Sequence, residues 1–169
     1  MKHPLGLDSS TSFIPSCDED QVQPNAVDVT VGKIFRINDG LFGLSKEGKK
    51  HRGSEELEPV RFAEQMGKGW HLTPGTYEIV MEQIIEVGED EAGWIVPRST
   101  LNRNGLFITS GLYDSDYKGV MAGALHVTTG DARIEQGARV GQFLLFDAEA
   151  VHLYSGSYGI NSDHDQKYK

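Results

Sequence analysis

Apolar residues in this chain come in short blocks punctuated by glycine, and long amphipathic stretches of helical period are missing. The 20 glycines are spread along 169 residues, a distribution that suits many short strands joined by turns. Val27 to Ile37 alternates apolar and polar side chains, and Thr76 to Val87 repeats the pattern, so both read as strands. Trp94 to Pro97, Leu106 to Thr109, Val120 to Thr128 and Ala138 to Phe146 are further strand candidates. Leu72 to Gly75 carries the Pro-Gly turn signal. One short helix is expected, Ser99 to Asn104, with Ser99 as its cap. A parallel α/β fold needs long helices between its strands. The pattern therefore points to an all-β sandwich, barrel or jelly roll.

The length fits one domain, and a hydrophobic content of 38% is enough for a packed core. Residues 1–160 are expected to form that domain, with 161–169 as a mobile polar tail. The charged stretch 41–58 reads as a long loop or an exposed hairpin. No apolar run reaches bilayer length, and the N-terminal residues lack the apolar block of a signal peptide. Cys17 is the single cysteine, so an internal disulfide is excluded. The expectation is a soluble, cytoplasmic protein with no membrane partner. A net charge of −9 argues against a general nucleic-acid binder. It does not argue against a small anion, which needs only local positive charge. The histidines are scattered, and the Cys-x-x-Cys of zinc deaminases is absent.

Gly43 to Lys50 reads GLSKEGKK, close to the phosphate-loop pattern GxxxxGK. Lys50 stands where a magnesium-binding Ser or Thr is required, and the segment lies between a turn and a polar stretch. It is read as a solvated loop. Pro97 to Gly105 is a better anion site: it places Arg98, Arg103, Ser99, Thr100 and an expected helix start within nine residues. Guanidinium forks, hydroxyls and free backbone N–H groups all suit phosphate oxygens. The same residues also suit an ordinary charged surface turn. Ser110 to Gly119 follows, with Asp114 and Asp116 two apart. In a strand they would share a face, and a carboxylate beside phosphate can activate water. Aspartates at such spacing also cap turns.

In order along the chain, PRSTLNRNGL and GLYDSDYKG resemble the second and third motifs of the dUTP diphosphatase and dCTP deaminase superfamily. Gln23 to Gly32 resembles the first motif and gives Asp28. Leu72 to Gly75 resembles the segment that precedes the second motif in the deaminase branch. Gln136 to Gln142 resembles the fourth motif, giving Arg139 and Gln142. Tyr154 to Gly159 resembles the glycine- and aromatic-containing C-terminal motif, with Gly156, Ser157 and Tyr158. Five ordered motifs over roughly Pro15 to Gly159 are far more specific than any one of them.

The resemblance implies a distorted jelly-roll or barrel-like fold and a homotrimer whose sites draw motifs from neighbouring subunits. It implies Asp114 as the catalytic residue orienting the attacking water, and Tyr117 packed under the deoxyribose. Arg98, Ser99, Thr100, Arg103, Arg139 and Gln142 would bind substrate through its phosphates. Phe107 to Gly111, with Gly111 at its end, would read the base largely through backbone groups. Gly156, Ser157 and Tyr158 would close over the substrate, with Tyr158 either stacking on the base or remaining a loop aromatic. Mg2+ would sit mainly on phosphates and water, with Asp28 orienting a metal-bound water; the other reading of Asp28 is a strand aspartate bonded to local backbone or to an arginine.

The branch is decided just beyond the third motif. Deaminases carry a proton-shuttling glutamate there, and the aligned position here is Ala124. His126 lies two residues on but reads as a partly buried strand residue. The implied activity is hydrolysis of dUTP to dUMP and pyrophosphate. The alternatives are a dCTP deaminase, alone or bifunctional, and a non-catalytic nucleotide-sensing regulator. Because relatives occur in viruses too, the cytoplasm meant can be that of a host. Thr100, Asn102 and Tyr113 depart from the motifs, the C-terminal motif lacks its usual arginine, and 41–58 has no counterpart.

Overall fold

A computed structural model describes residues 1–5, 11–63 and 67–169. The strands are, in chain order, β1 (Val27–Ile37), β2 (Gly43–Ser45), β3 (Gly48–Lys50), β4 (Ser54–Glu56), β5 (Val60–Arg61) and β6 (Lys68–Leu72). They continue with β7 (Gly75–Glu86), β8 (Glu91–Pro97), β9 (Leu106–Thr109), β10 (Lys118–Val127), β11 (Ala132–Glu135) and β12 (Arg139–Asp147). The one α-helix among the described residues, α1 (Ser99–Arg103), lies between β8 and β9. The main sheet has the order β8-β12-β1-β7-β10-β9, with β4 also paired to β1. A smaller sheet, β11-β6-β5, and the hairpin β2-β3 complete it. The expected all-β, barrel-like architecture is what forms.

β1 organises this arrangement. Its first five residues are all buried, so this half is covered on both faces. Val27, Val29 and Val31 point into the apolar core with Ile79, Phe143 and Leu145, and full burial of each such side chain is worth roughly 1.5–3 kcal/mol. Asp28 and Thr30 point to the other face, which is also closed. The register slips after Val29 and again after Val31. Such bulges bend a strand, and they let β1 leave β12 and continue alongside β7. One strand thereby serves both halves of the sheet, which accounts for the distortion.

Several sequence expectations are sharpened. β1 and β9 occupy the expected residues, and the other candidate strands shift by a few positions. β6 and β11 were not visible in the sequence. They are short, and Trp70 and Leu72 become buried only through pairing with residues some sixty positions on. Ser99 is not the helix cap. It is the first helical residue, Arg98 is the N-cap in extended conformation, and no side chain caps the helix. GLSKEGKK forms the exposed hairpin β2-β3, with Gly43 opposite Lys50. A strand, β4, follows it where a phosphate loop would need a helix. The segment 161–169, expected as a mobile tail, is docked: His164–Tyr168 is a 3-10 helix with Asp165 buried. Among the described residues no helix is long and apolar enough to cross a membrane.

Candidate active site

The strand order β8-β12-β1 assembles the first group of site residues. Gln142 on β12 lies opposite Asp28 on β1 and opposite Val96 on β8. Arg98 follows β8 directly, and its backbone N–H donates to the Val140 carbonyl at 3.0 Å. The turn before β12 requires Gly137 at φ +79, a conformation that glycine adopts without strain, and this delivers Arg139. Asp28 is fully buried. Gln142 Nε2 donates to its Oδ1 at 3.1 Å. Its Oδ2 lies 3.5 Å from Arg98 Nε and 3.8 Å from Arg139 Nη1. Arg139 also donates to the Asp20 carbonyl. Both guanidiniums are about a third exposed, so they face solvent while leaning on a buried carboxylate.

Asp28 Oδ2 is the one buried side-chain oxygen without a hydrogen-bond partner among the described residues. That orphaned acceptor is the observation that bears on magnesium. A metal carried on phosphate and water needs an acceptor of this kind, whereas a protein cage needs several ligands. Among the described residues no group of three or more His, Cys, Asp or Glu is arranged to hold a metal. The donor set thus fits a phosphate-borne magnesium, with Asp28 as the residue that would receive a metal-bound water.

The second group lies on the loop between β9 and β10. Tyr113 is pinned to β8 by reciprocal backbone hydrogen bonds with Gly93, both 2.8 Å. The chain then turns: Tyr117 N–H donates to the Asp114 carbonyl, and Asp116 takes φ +67. Asp114 and Asp116 therefore sit on a tight turn and do not share a strand face, because the β10 ladder begins only at Lys118. Asp114 is exposed and Gly111 is exposed beside it. Tyr117 is buried, with its hydroxyl donating to the Val120 carbonyl at 2.7 Å. Its ring contacts Tyr113 at 5.4 Å and Tyr154 at 5.3 Å between centroids. Burial pushes the Tyr117 phenol up, with Asp165 and Tyr154 adding to the effect. It stays neutral and serves as a packing surface.

The C-terminal segment closes over this loop. Tyr154 N–H donates to the Ser115 carbonyl, and Ile160 N–H to the Lys118 carbonyl. Gly159 N–H donates to Asp165 Oδ2 at 2.7 Å. Gly156, Ser157 and Tyr158 are exposed, and Tyr158 stands edge-on to His164 at 4.8 Å. Together these residues border a cleft of about 630 Å³ that contains Gly111, Asp114, Tyr117, Gly156, Ser157 and Tyr158.

Two groups thus form within one chain. Asp28, Arg98, Arg139 and Gln142 converge on one side. Gly111, Asp114, Tyr117 and the C-terminal residues converge in the cleft, and no arginine or lysine is among the described residues lining it. Ser99, Thr100 and Arg103 are exposed on α1, and Thr100 and Arg103 share a separate cleft of about 760 Å³ with Arg139.

Sequence reasoning missed Glu78 in the cleft. It stands on β7 directly opposite Ala124 on β10. Burial alone would raise its carboxyl. Hydrogen bonds from Lys167, Tyr168 and Ser54 outweigh burial and hold it below the ordinary range. Nothing local in the sequence marks it, since only the β7-β10 register brings it to the cleft.

This fold and motif arrangement define a family of nucleotide enzymes. The dCTP deaminase-like family profile matches residues 7–148, and the chain belongs to that family. It is 33% identical over 149 residues to a probable deoxyuridine 5′-triphosphate nucleotidohydrolase of Methanopyrus kandleri, covering 87% of this chain and 93% of that one. It is 30% identical over 140 residues to the protein of the same name in Halobacterium salinarum, covering 83% and 84%. Among solved structures, the fold is similar to a dCTP deaminase of Agrobacterium tumefaciens, with TM-score 0.60 and 18% identity. The similarity covers 79% of this chain and 42% of that one, so the present chain matches less than half of its length. It is also similar to the dUTPase of Staphylococcus bacteriophage 80alpha, with TM-score 0.50 and 14% identity over 91% and 92%.

Proposed function

We propose that this protein is a dUTP diphosphatase that hydrolyses dUTP at the α-phosphate to dUMP and pyrophosphate. The observation that carries this reading is an exposed Asp114 at the mouth of a nucleotide-sized cleft, beside Tyr117, while Ala124 occupies the deaminase glutamate position. Relatives named as deoxyuridine triphosphate nucleotidohydrolases support it.

Asp114 accepts a proton from a water whose oxygen attacks the α-phosphorus. The new P–O bond forms as the α–β bridging bond breaks, and the electron pair leaves on pyrophosphate. A positioned base of this kind contributes about 10²–10⁴ in rate. Tyr117, buried and neutral and packed between Tyr113 and Tyr154, would offer the face of its ring to the deoxyribose. Gly111 leaves its backbone open to the base. Tyr158 stands at the cleft, where an aromatic can stack on a base. Arg98, Arg139 and Arg103, with Ser99, Thr100 and Gln142, supply donors to phosphate oxygens, and preorganised donors stabilise charge as it develops. Magnesium carried on the triphosphate would supply charge neutralisation, and Asp28 is the residue that would orient its water.

The arginine group lies outside the Asp114 cleft within one chain, which supports a homotrimer in which each site combines groups from neighbouring copies. The setting is the cytoplasmic nucleotide pool, with neither nucleic acid nor membrane as partner.

The test is product analysis with each deoxynucleoside triphosphate, with and without magnesium. Conversion of dUTP to dUMP is expected, and the Asp114→Ala variant should lose about 10²–10⁴ of the rate while still binding dUTP. Retention of the parent rate in that variant would refute the mechanism, and rapid dUMP formation from dCTP would refute the branch. Co-assembly of Asp114→Ala with Arg98→Ala chains should restore activity that neither has alone. A monomeric mass in solution would refute the shared site.

A further inference from the structure

The cleft that holds Asp114 is lined by the carboxylates Glu78, Asp114 and Asp165 and by no arginine or lysine among the described residues. The C-terminal segment Tyr154 to Gly159, which closes over it, also contains no cation. A triphosphate held there needs positive charge at its distal end. We propose that Lys49, presented by the β2-β3 hairpin, binds the distal phosphates of the nucleotide over the Gly156–Tyr158 segment. This inference rests on the dUTP-hydrolysing reading of the same cleft and assigns a role to the inserted hairpin.

Three observations support it. Lys49 Nζ donates to Ser157 Oγ at 2.9 Å and to Tyr158 Oη at 3.3 Å, and it lies 4.5 Å from the Tyr158 ring centre. These contacts fix the ammonium at the rim of the cleft, across 108 residues of chain. The partners are neutral. Lys2, Lys33, Lys118 and Lys167 each pair with a carboxylate; Lys49, like Lys46, Lys50 and Lys68, forms no ion pair among the described residues, and of these it is the one held at Ser157 and Tyr158. Its charge is therefore left for an anion. A lysine ammonium on a flexible stem is a point-charge partner for phosphate, and its three donors can exchange hydroxyls for phosphate oxygens.

The surroundings agree. His51, on the chain just after β3, lines the same cleft, and its ring is 5.0 Å from that of His164. Burial first, then His164, Lys49 and Lys167, lower its pKa, with Glu78 opposing. The Lys49 ammonium and the His51 ring thus both stand at this rim, on and just after the β2-β3 hairpin. On a strand, successive side chains point to opposite faces. Lys50 is therefore a natural control: it carries the same charge on the same strand but faces away from Lys49.

The test measures binding of inorganic tripolyphosphate and of dUMP by calorimetry on the full chain, together with steady-state hydrolysis of dUTP. Lys49→Gln should weaken tripolyphosphate binding and raise the KM for dUTP by about tenfold, the scale of one charge-assisted hydrogen bond. It should leave kcat and dUMP binding close to those of the parent. Lys49→Arg should retain most of the affinity, and Lys50→Gln should change neither. Equal losses in Lys49→Gln and Lys50→Gln would reduce the effect to general electrostatics and overturn the proposal. An equal loss for dUMP and tripolyphosphate would make Lys49 a mere clamp on the C-terminal segment and also overturn it. If the parent fails to hydrolyse dUTP while Lys49→Gln still loses tripolyphosphate selectively, the anion site stands and the dUTP reading falls. If dUTP is hydrolysed and Lys49→Gln behaves as the parent, the reverse holds.

Discussion

Replacing Asp28 with asparagine removes a charge from a fully buried position while keeping its size and one carbonyl oxygen. The amide oxygen can still accept from Gln142 Nε2, so that hydrogen bond is retained. What is lost is attraction to Arg98 at 3.5 Å and Arg139 at 3.8 Å. At an effective dielectric of about 20, each attraction is about 4–5 kcal/mol before desolvation is counted. The neutral amide recovers the cost of burying a carboxylate, and both guanidiniums, about a third exposed, regain some hydration. The net loss is expected to be about 3 kcal/mol, at the low end of the range for removing one partner of a buried ion pair. Urea unfolding, with parent and variant at the same protein concentration, measures it. The midpoint should fall with an unchanged slope. A double-mutant cycle with Arg98→Met should show a coupling above about 0.5 kcal/mol. An Asp28→Asn variant as stable as the parent would refute the reading that this carboxylate holds the arginine pair together.

Glu78 has a depressed folded-state pKa, so its contribution is fully present above the ordinary glutamate value and is lost as pH falls through the depressed one. The docking of residues 164–168 should therefore weaken only in acid, below the ordinary value of 4.5, read as faster amide exchange at the C-terminus. Protection unchanged well below that pH would contradict it. In Gly119→Ala, the new Cβ would lie 2.8 Å from Gly159 Cα and 2.9 Å from Tyr117 Oη. That overpacking should cost about 1–3 kcal/mol and expose the C-terminal segment to limited proteolysis, whereas parent-like cleavage rates would show that the contact yields freely. Ala124→Glu would set a second carboxylate opposite Glu78, at a Cβ spacing of about 4.5–5.5 Å. The variant should melt lower and still produce no dUTP from dCTP, and efficient deamination would show that the missing glutamate was the sole barrier.

Residues whose role follows from a local pattern were legible in the sequence. The alternation of Val27 to Ile37 predicted β1 because a strand buried by alternate faces must write that period into its side chains. The ordered motifs gave Asp28, Arg98, Asp114, Tyr117, Arg139 and Gln142 as a set. The set's division was not legible. Arg98 and Asp114 are sixteen positions apart, yet Arg98 joins Asp28 through the β8-β12-β1 order while Asp114 turns away into the cleft. The expectation that Asp114 and Asp116 share a strand face failed because Asp116 takes a left-handed turn conformation. Short strands such as β6 and β11 also escaped notice: unlike the equally short apolar run of β9, they mix charged residues and glycine with apolar ones, and only their mutual pairing buries Trp70 and Leu72.

The sequence by itself determined that the chain is all-β, that its ordered motifs resemble those of the dUTP diphosphatase and dCTP deaminase superfamily, and that Ala124 stands at the position aligned with a deaminase's glutamate. Only the tertiary structure decided that Glu78 faces that alanine, that Asp28 lies buried against two arginines, and that Lys49 reaches Ser157 and Tyr158. Turns and alternation depend on neighbours a few residues apart. Strand order and register depend on which distant strands bury each other's apolar faces, and that choice is made by the whole chain at once.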